Sequence, residues 1–69
     1  MTKDDFDFAY RAFSRRRPFR AFSIEFDSGA LLPVVHPEAV MSAAMMYVAR
    51  QPNGARSLFA AVNVTRLLD

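Results

Sequence analysis

Few side chains in this sequence are suited to acid–base chemistry. His36 is the one histidine, and Glu38 follows it two residues later across Pro37. Catalysis by proton transfer or nucleophilic attack needs a nucleophile, a base and a group that orients them, and one His–Glu pair does not supply all three. We therefore interpret His36 as the end of a strand, with its ring hydrogen-bonded to a backbone carbonyl or a carboxylate in the following turn. The sequence predicts no catalytic residue and no enzyme.

The sequence also lacks the residues that a metal site or a nucleotide site usually requires. The chain has no cysteine, so a zinc site built on the single histidine would need three carboxylates as its other ligands. The two glycines do not form the glycine-rich run before a helix that a phosphate-binding loop requires. We expect no metal, no cofactor and no small-molecule substrate.

An arginine-rich segment is the first candidate for a binding surface. The candidate nucleic-acid surface consists of Arg15, Arg16, Arg17, Phe19 and Arg20. Arginines contact phosphates, and an aromatic ring such as Phe19 or Tyr47 can stack on a base. The same arginines suit the negative end of a helix, because aspartates at positions 4, 5 and 7 precede them at its positive end. Glu25 and Asp27 on the next segment would repel phosphate. The helix-end interpretation is favoured, and RNA or single-stranded nucleic-acid binding is the alternative.

An apolar surface is the second candidate. The candidate partner surface consists of Met41, Met45, Met46, Tyr47 and Phe59. Methionines adapt their shape to a partner, and exposed apolar patches mark interfaces. Ordinary core packing is the alternative, but the core of a 69-residue chain has little room for more than one methionine. Since 52% of the residues are hydrophobic, we expect a protein partner or a homo-oligomer, with residues 39–48 as the interface.

A helix is expected to position the arginines. Its apolar stripe, at helical spacing, is Phe6, Ala9, Tyr10 and Phe13. Asp4 or Asp5 is expected to cap the helix, and Pro18 disfavours helical backbone at Arg17. The sequence therefore predicts an amphipathic helix over residues 4–16, whose apolar stripe closes one end of the sheet that follows.

The hydrophobic period changes to two after residue 19. Phe22, Ile24 and Phe26 are predicted to be buried, and Ser23 and Glu25 to be exposed, because successive side chains of a strand point to opposite faces. Residues 27–29, Asp-Ser-Gly, indicate a turn.

The remaining chain is expected to form further short strands. Residues 30–36 are predicted as the return strand, with Leu32 and Val34 sharing a face and Pro33 at a sheet edge or in a bulge. Residues 37–44 are predicted as a short helical turn and residues 45–50 as a strand. Pro52-Asn53-Gly54 favours a type I′ hairpin turn, and residues 57–68 are predicted as the last strand or two, bent near Asn63.

These elements define the expected fold. It is a single α+β domain over residues 1–69, with a helix at 4–16 and, over about 19–68, a four- or five-stranded antiparallel sheet that is strongly twisted or barrel-like. No stretch approaches the roughly 20 apolar residues of a membrane span, and the acidic start MTKDDFDF lacks the apolar core of a signal peptide. We expect a cytoplasmic protein with no membrane partner.

Four short motifs occur in order along the chain. They are Arg17-Pro18-Phe19 with Phe22-Ser23-Ile24, the turn at Gly29, Val35-His36-Pro37-Glu38, and Val64-Thr65-Arg66-Leu67. This pattern resembles a group of short uncharacterised bacterial proteins that share R-P-F-x-x-F-x-I, D-G, V-x-H-P-E and I-T-R-I. The chain departs from that group in its first turn, where Asp-Ser-Gly replaces Asp-Gly. The resemblance implies a small SH3-like or Sm-like barrel and implies no activity.

Overall fold

A computed structural model describes all of residues 1–69 and confirms the α+β class. One helix, α1 (Lys3–Ser14), precedes six strands. The strands are β1 (Phe22–Phe26), β2 (Leu31–Val34), β3 (Val40–Ala43), β4 (Met46–Arg50), β5 (Arg56–Phe59) and β6 (Val64–Leu68). A short 3₁₀ turn (Ala61–Asn63) leads into β6 and forms the bend that was predicted near Asn63. No helix of the structure has the length and apolar character needed to cross a membrane.

The strands form two antiparallel sheets rather than one barrel-like sheet of four or five strands. The first sheet has the order β2-β1-β6 and the second the order β3-β4-β5. The chain leaves β2 at residues 35–39, where the Ala39 N–H donates to the His36 carbonyl in a turn, at 3.1 Å. Pro37 has no N–H with which to continue a strand ladder, so the extended chain is interrupted between the two sheets.

The predicted helical turn at residues 37–44 is wrong. Val40 to Ala43 instead pair with β4, Val40 opposite Ala49 and Ala43 opposite Met46. Proline at the start of this segment is compatible with a first helical turn, but the ladder with β4 gives its backbone groups partners that an isolated turn lacks.

Helix α1 begins and ends earlier than predicted. Its cap is Thr2, whose side-chain oxygen accepts the Asp5 N–H at 3.0 Å, rather than an aspartate. The helix ends at Ser14 rather than at residue 16. The Arg16 Nε donates to the Phe13 carbonyl at 3.2 Å and so replaces the backbone donor that another helical turn would supply.

The helix packs its apolar stripe on both sheets. Phe6 is 1% exposed, and its ring centroid lies 4.5 Å from that of Tyr47 and 5.6 Å from that of Phe59. Tyr10 and Phe13 are half-buried, and both rings contact Phe22. The buried residues are all apolar or aromatic: Phe6, Phe22, Ile24, Leu32, Val34, Ala39, Tyr47, Ala49, Phe59, Ala61, Val64 and Leu67. The core therefore lies between the helix and the inner faces of the two sheets.

The prediction of which side chains of the first hairpin face the core is confirmed. Phe22 and Ile24 of β1 are buried, Phe26 is half-buried, and Leu32 and Val34 of β2 are buried. Strand β2 is an edge strand, as Pro33 indicated. Ser23 and Glu25 are half-exposed rather than exposed, because both lie between the neighbouring strands β2 and β6.

Both glycine-containing hairpin turns have the same geometry. Gly29 N–H donates to the Phe26 carbonyl at 2.8 Å, and Gly54 N–H donates to the Gln51 carbonyl at 2.9 Å. The glycines have φ angles of +90° and +88°, which favour glycine. Asn53 is not among the residues with positive φ, so the predicted type I′ turn is wrong. The loop has three residues, with the glycine in the left-handed region as its third.

Candidate protein-binding surface

Polar contacts cover the part of the first sheet's outer face that β1 and β6 form. Glu25 of β1 lies opposite Arg66 of β6, and the Arg66 Nε donates to the Glu25 Oε1 at 2.6 Å. Beside this pair, the Thr65 hydroxyl donates to Asp27 at 2.6 Å. The β1–β6 part of this face therefore has the polar character that the solvated side of an antiparallel sheet normally has, whereas Leu31 of β2, opposite Glu25, is apolar and exposed.

The outer face of the second sheet is apolar. Val48 of β4 lies directly opposite Met41 of β3 and Leu58 of β5, so the three side chains form one row across the sheet. Met46 lies on the same side of β4, two residues before Val48. Met41 is 64% and Leu58 is 70% exposed. We refer to Met41, Met46, Val48 and Leu58 as the apolar face.

Three exposed apolar side chains border this face. Leu31 lines a groove of about 580 Å³ with Met46 and Leu58. Met45 and Val62 line a second groove, of about 700 Å³, again with Met46. Leu31, Met45 and Val62, which we call the border side chains, are each more than half exposed. Met46 lines both grooves, so the apolar face and its border side chains form one continuous apolar surface.

The turn that carries Met45 is strained. Ala44 and Met45 connect β3 to β4, and Ala44 has a φ angle of 57°. It is the only residue other than glycine with a positive φ, a conformation that costs an L-residue roughly 1–2 kcal/mol. Met45 beside it is 76% exposed. Strained backbone is concentrated at binding and active sites, so the strain at Ala44 suggests that a partner binds at this end of the apolar face.

The two ends of the apolar face carry opposite charges. At one end Arg50 of β4 lies directly opposite Arg56 of β5, an arrangement of like charges that is destabilising. Neither arginine has a carboxylate within 4.0 Å, although Glu38 lines the same groove. At the other end Asp5 lines the groove that contains Met45 and has no cation within 4.0 Å.

Most free sheet edges are protected. Pro33 lies in edge strand β2 and has no N–H to offer, and the Tyr10 hydroxyl accepts the N–H of Val40 in edge strand β3 at 3.3 Å. The Met1 amino group donates to the Val64 carbonyl of edge strand β6 at 2.8 Å. Strand β5 is the edge without such a contact, and its Leu58 belongs to the apolar face.

The predicted partner residues divide between surface and core. Met41, Met45 and Met46 are exposed and lie together, as expected. Tyr47 and Phe59 do not belong to that surface. They are 2% and 6% exposed, and their rings stack on each other on the inner face of the second sheet. Sequence reasoning missed four side chains of the apolar surface: Leu31, Val48, Leu58 and Val62. The alternation of Met46 and Val48 with Tyr47 and Ala49 in β4 was the signal that could have found Val48.

Tyr47 fixes the helix on the second sheet through a polar contact. Its hydroxyl donates to Asp7 Oδ1 at 2.5 Å, and Lys3 Nζ donates to Oδ2 of the same carboxylate at 2.9 Å. The hydrogen bond from Tyr47, and then that from Lys3, hold the pKa of Asp7 below its usual value. Burial, followed by the bond to Asp7, raises the pKa of Tyr47. These groups hold α1 against β4, and Asp7 and Tyr47 line a groove of about 300 Å³ there.

Part of the arginine-rich segment is engaged within the protein. Arg16 Nη1 lies 2.6 Å from Asp69 Oδ1, and Arg16 Nη2 donates to the Arg20 carbonyl at 2.8 Å. Arg20 itself lies 3.7 Å from the same carboxylate, and Phe19 is half-buried with its ring centroid 6.2 Å from that of Phe22. Of the candidate nucleic-acid surface, Arg15 and Arg17 are the members that are exposed and have no carboxylate within 4.0 Å.

His36 and Glu38 are both exposed and line a groove of about 560 Å³ with Arg50. The ring of His36 makes no hydrogen bond, contrary to our interpretation; its backbone carbonyl accepts the Ala39 N–H instead. No group of three histidine, cysteine or carboxylate side chains is placed to hold a metal ion.

No protein-family model, curated protein or solved structure matches this chain. The resemblance to the short bacterial proteins with the V-x-H-P-E motif therefore stays a prediction.

Proposed function

We propose that this protein is a non-enzymatic binding module that contacts another protein chain through the apolar face and its border side chains. The observation that carries the proposal is the row Met41, Val48 and Leu58 across the outer face of the second sheet. A solvated sheet face normally carries polar side chains, and burying each aliphatic side chain against a partner contributes about 1.5–3 kcal/mol. Covering this row is therefore more favourable than leaving it in water.

The contrast between the two sheets supports the proposal. In the first sheet, β1 and β6 carry an ion pair on their outer face, Glu25 with Arg66. The second sheet has exposed methionines in place of such a pair, and methionine is the apolar side chain that adapts most readily to a partner. The strained Ala44 places a further methionine at the end of the face.

Nucleic-acid binding has less support. Arg16 bonds Asp69 and Phe19 packs against Phe22, so neither is free to contact a phosphate or to stack on a base. Arg15, Arg17 and Arg20 are exposed, but these arginines would make few phosphate contacts, and affinity for nucleic acid grows with the number of phosphates that are neutralised.

Photo-crosslinking in cells tests the proposal. A photoreactive phenylalanine derivative is placed at Leu58 and, as a matched control, at Phe8 of the helix. The two positions are 70% and 67% exposed, and only Leu58 belongs to the apolar face. We expect protein adducts from Leu58 and few or none from Phe8. Adducts at equal yield from both positions, or none from Leu58, would contradict a protein-binding face, and adducts to RNA would favour the nucleic-acid alternative.

A further inference from the structure

We infer that the chain covering the apolar face is a second copy of this protein, packed face to face about a two-fold axis that runs across the strands. This inference rests on the proposed function, because it names the partner of the same surface. It adds the stoichiometry, the orientation and the charged contacts that flank the apolar face.

The area of the surface matches what a dimer of this kind needs. Burying one fully exposed aliphatic side chain removes on the order of 100 Å² from water. The side chains of the apolar face and its border are on average roughly half exposed, so they offer roughly 400 Å² of apolar area per copy. Two copies would bury about 800 Å² of apolar area. Since about 56–58% of a typical interface is non-polar, the whole interface would be about 1,400 Å², within the standard range of about 1,200–2,000 Å². A domain of 69 residues without cysteine is also of the size that association commonly stabilises.

The charges at the two ends of the face determine the orientation. Met46 and Arg50 are the first and last residues of β4, so the carboxylate of Asp5, beside Met46, and the pair Arg50 and Arg56 lie at opposite ends. A two-fold axis across the strands reverses their direction in the second copy, so that each arginine pair meets the partner's Asp5. An axis along the strands would instead place arginines against arginines.

The remaining charged groups at these ends agree with the same orientation. Glu38 lines the groove at the arginine end, and Lys3 lines the groove at the Asp5 end. Reversal of the strands therefore also places Glu38 near the partner's Lys3, although Lys3 already bonds Asp7. One surface thus supplies both halves of a complementary interface, as a two-fold dimer requires.

Sedimentation equilibrium of the purified protein over a concentration series, combined with charge reversal, tests the inference. We expect a monomer–dimer equilibrium whose dissociation constant rises about 10-fold or more for Arg56→Glu and for Asp5→Arg. The double variant carrying both changes should return to within about 3-fold of the original constant, because each pair of charges is exchanged rather than lost. Asp4→Arg is the matched control, since Asp4 lies in the same helical turn but does not line the groove.

The outcomes separate this inference from the proposed function. A protein that stays monomeric at all concentrations, but crosslinks a different protein from Leu58, overturns the second copy and leaves the binding face intact. A dimer whose dissociation constant is unchanged by both charge reversals overturns the face-to-face orientation. Pairing through the open edge of β5 would then be the alternative arrangement. Where a reversal unfolds the domain, as judged by circular dichroism, Arg56→Gln and Asp5→Asn replace it. Each of these is expected to weaken the dimer by a smaller factor, and an unchanged constant for both overturns the inference in the same way.

Discussion

Arg16 and Asp69 join the end of the helix to the end of the last strand. The Arg16 Nη1 lies 2.6 Å from Asp69 Oδ1, while Nε of the same guanidinium donates to the Phe13 carbonyl. The guanidinium carbon also lies 4.9 Å from the centroid of the Phe13 ring. One arginine of the three in the run is therefore a structural residue, and the two beside it are solvated.

The first prediction distinguishes these arginines. Arg16→Gln should lower the free energy of unfolding by about 1–2 kcal/mol, because it removes charge-assisted hydrogen bonds that are partly exposed to water. Arg15→Gln and Arg17→Gln are the controls and should each change it by less than about 0.5 kcal/mol. Denaturant unfolding of the three variants provides the comparison. Equal losses for all three would mean that the run acts as a general charge at the helix end.

The second prediction concerns the helix as part of the core. Phe6→Ala should cost about 3–5 kcal/mol, because it removes a ring that is 1% exposed and contacts Tyr47 and Phe59. Phe8→Ala, at a ring that is 67% exposed in the same helix, should cost less than about 1 kcal/mol. Thermal and denaturant unfolding measure both. If Phe6→Ala leaves too little folded protein to measure, Phe6→Leu and Phe8→Leu replace the alanine variants. Phe6→Leu should then be the less stable of the two. A small effect at both positions would show that the helix is a detachable arm.

The third prediction tests the strain at Ala44. Ala44→Gly should raise the free energy of unfolding by up to about 1 kcal/mol. Relief of a left-handed alanine is worth roughly 1–2 kcal/mol, and the greater freedom of glycine in the unfolded chain offsets about 0.4–1 kcal/mol of it. Ala43→Gly, one residue earlier in β3, should lower stability by about 0.5–1 kcal/mol. Thermal unfolding detects either change as a shift of several degrees. Destabilisation at both positions would contradict the strained turn.

The fourth prediction is a pH dependence. The pKa of Asp7 is lowered in the folded state by Tyr47 and Lys3, so Asp7 contributes stability above its unfolded pKa near 4 and loses it as the pH falls through the folded value. Tyr47→Phe should therefore cost about 1–2 kcal/mol at pH 7, and this cost should decrease as the pH falls below about 4. Unfolding curves over this pH range measure the difference between the two proteins.

Tyr10→Phe is the control for that pH dependence. The Tyr10 hydroxyl donates to the Pro37 carbonyl and accepts the Val40 N–H, and neither partner titrates. Its cost should be nearly constant between pH 2 and 7. A cost of Tyr47→Phe that is equally constant would show that the hydrogen bond to Asp7 does not depend on the charge of the carboxylate.

Several features were predictable from the sequence because they depend on neighbouring residues. Phe22 and Ile24 alternate with polar residues, and this alternation predicts which face of β1 is buried. Pro33 indicated an edge strand because proline lacks a backbone donor, and Gly29 and Gly54 marked hairpin turns because they adopt positive φ. The helix and its inward-facing Phe6 followed from helical spacing in the same way.

The tertiary structure decided which strands pair and therefore where the apolar face lies. Val40 to Ala43 became a strand because β4 supplied a ladder that lies outside any local window, and that pairing aligned Met41 with Val48 and Leu58. The inward direction of Tyr47 and Phe59, and the contact of Arg16 with Asp69, likewise join residues distant in sequence. Local patterns determine how a segment folds and which side it buries. Which distant segment covers that side depends on packing that no short stretch of sequence contains.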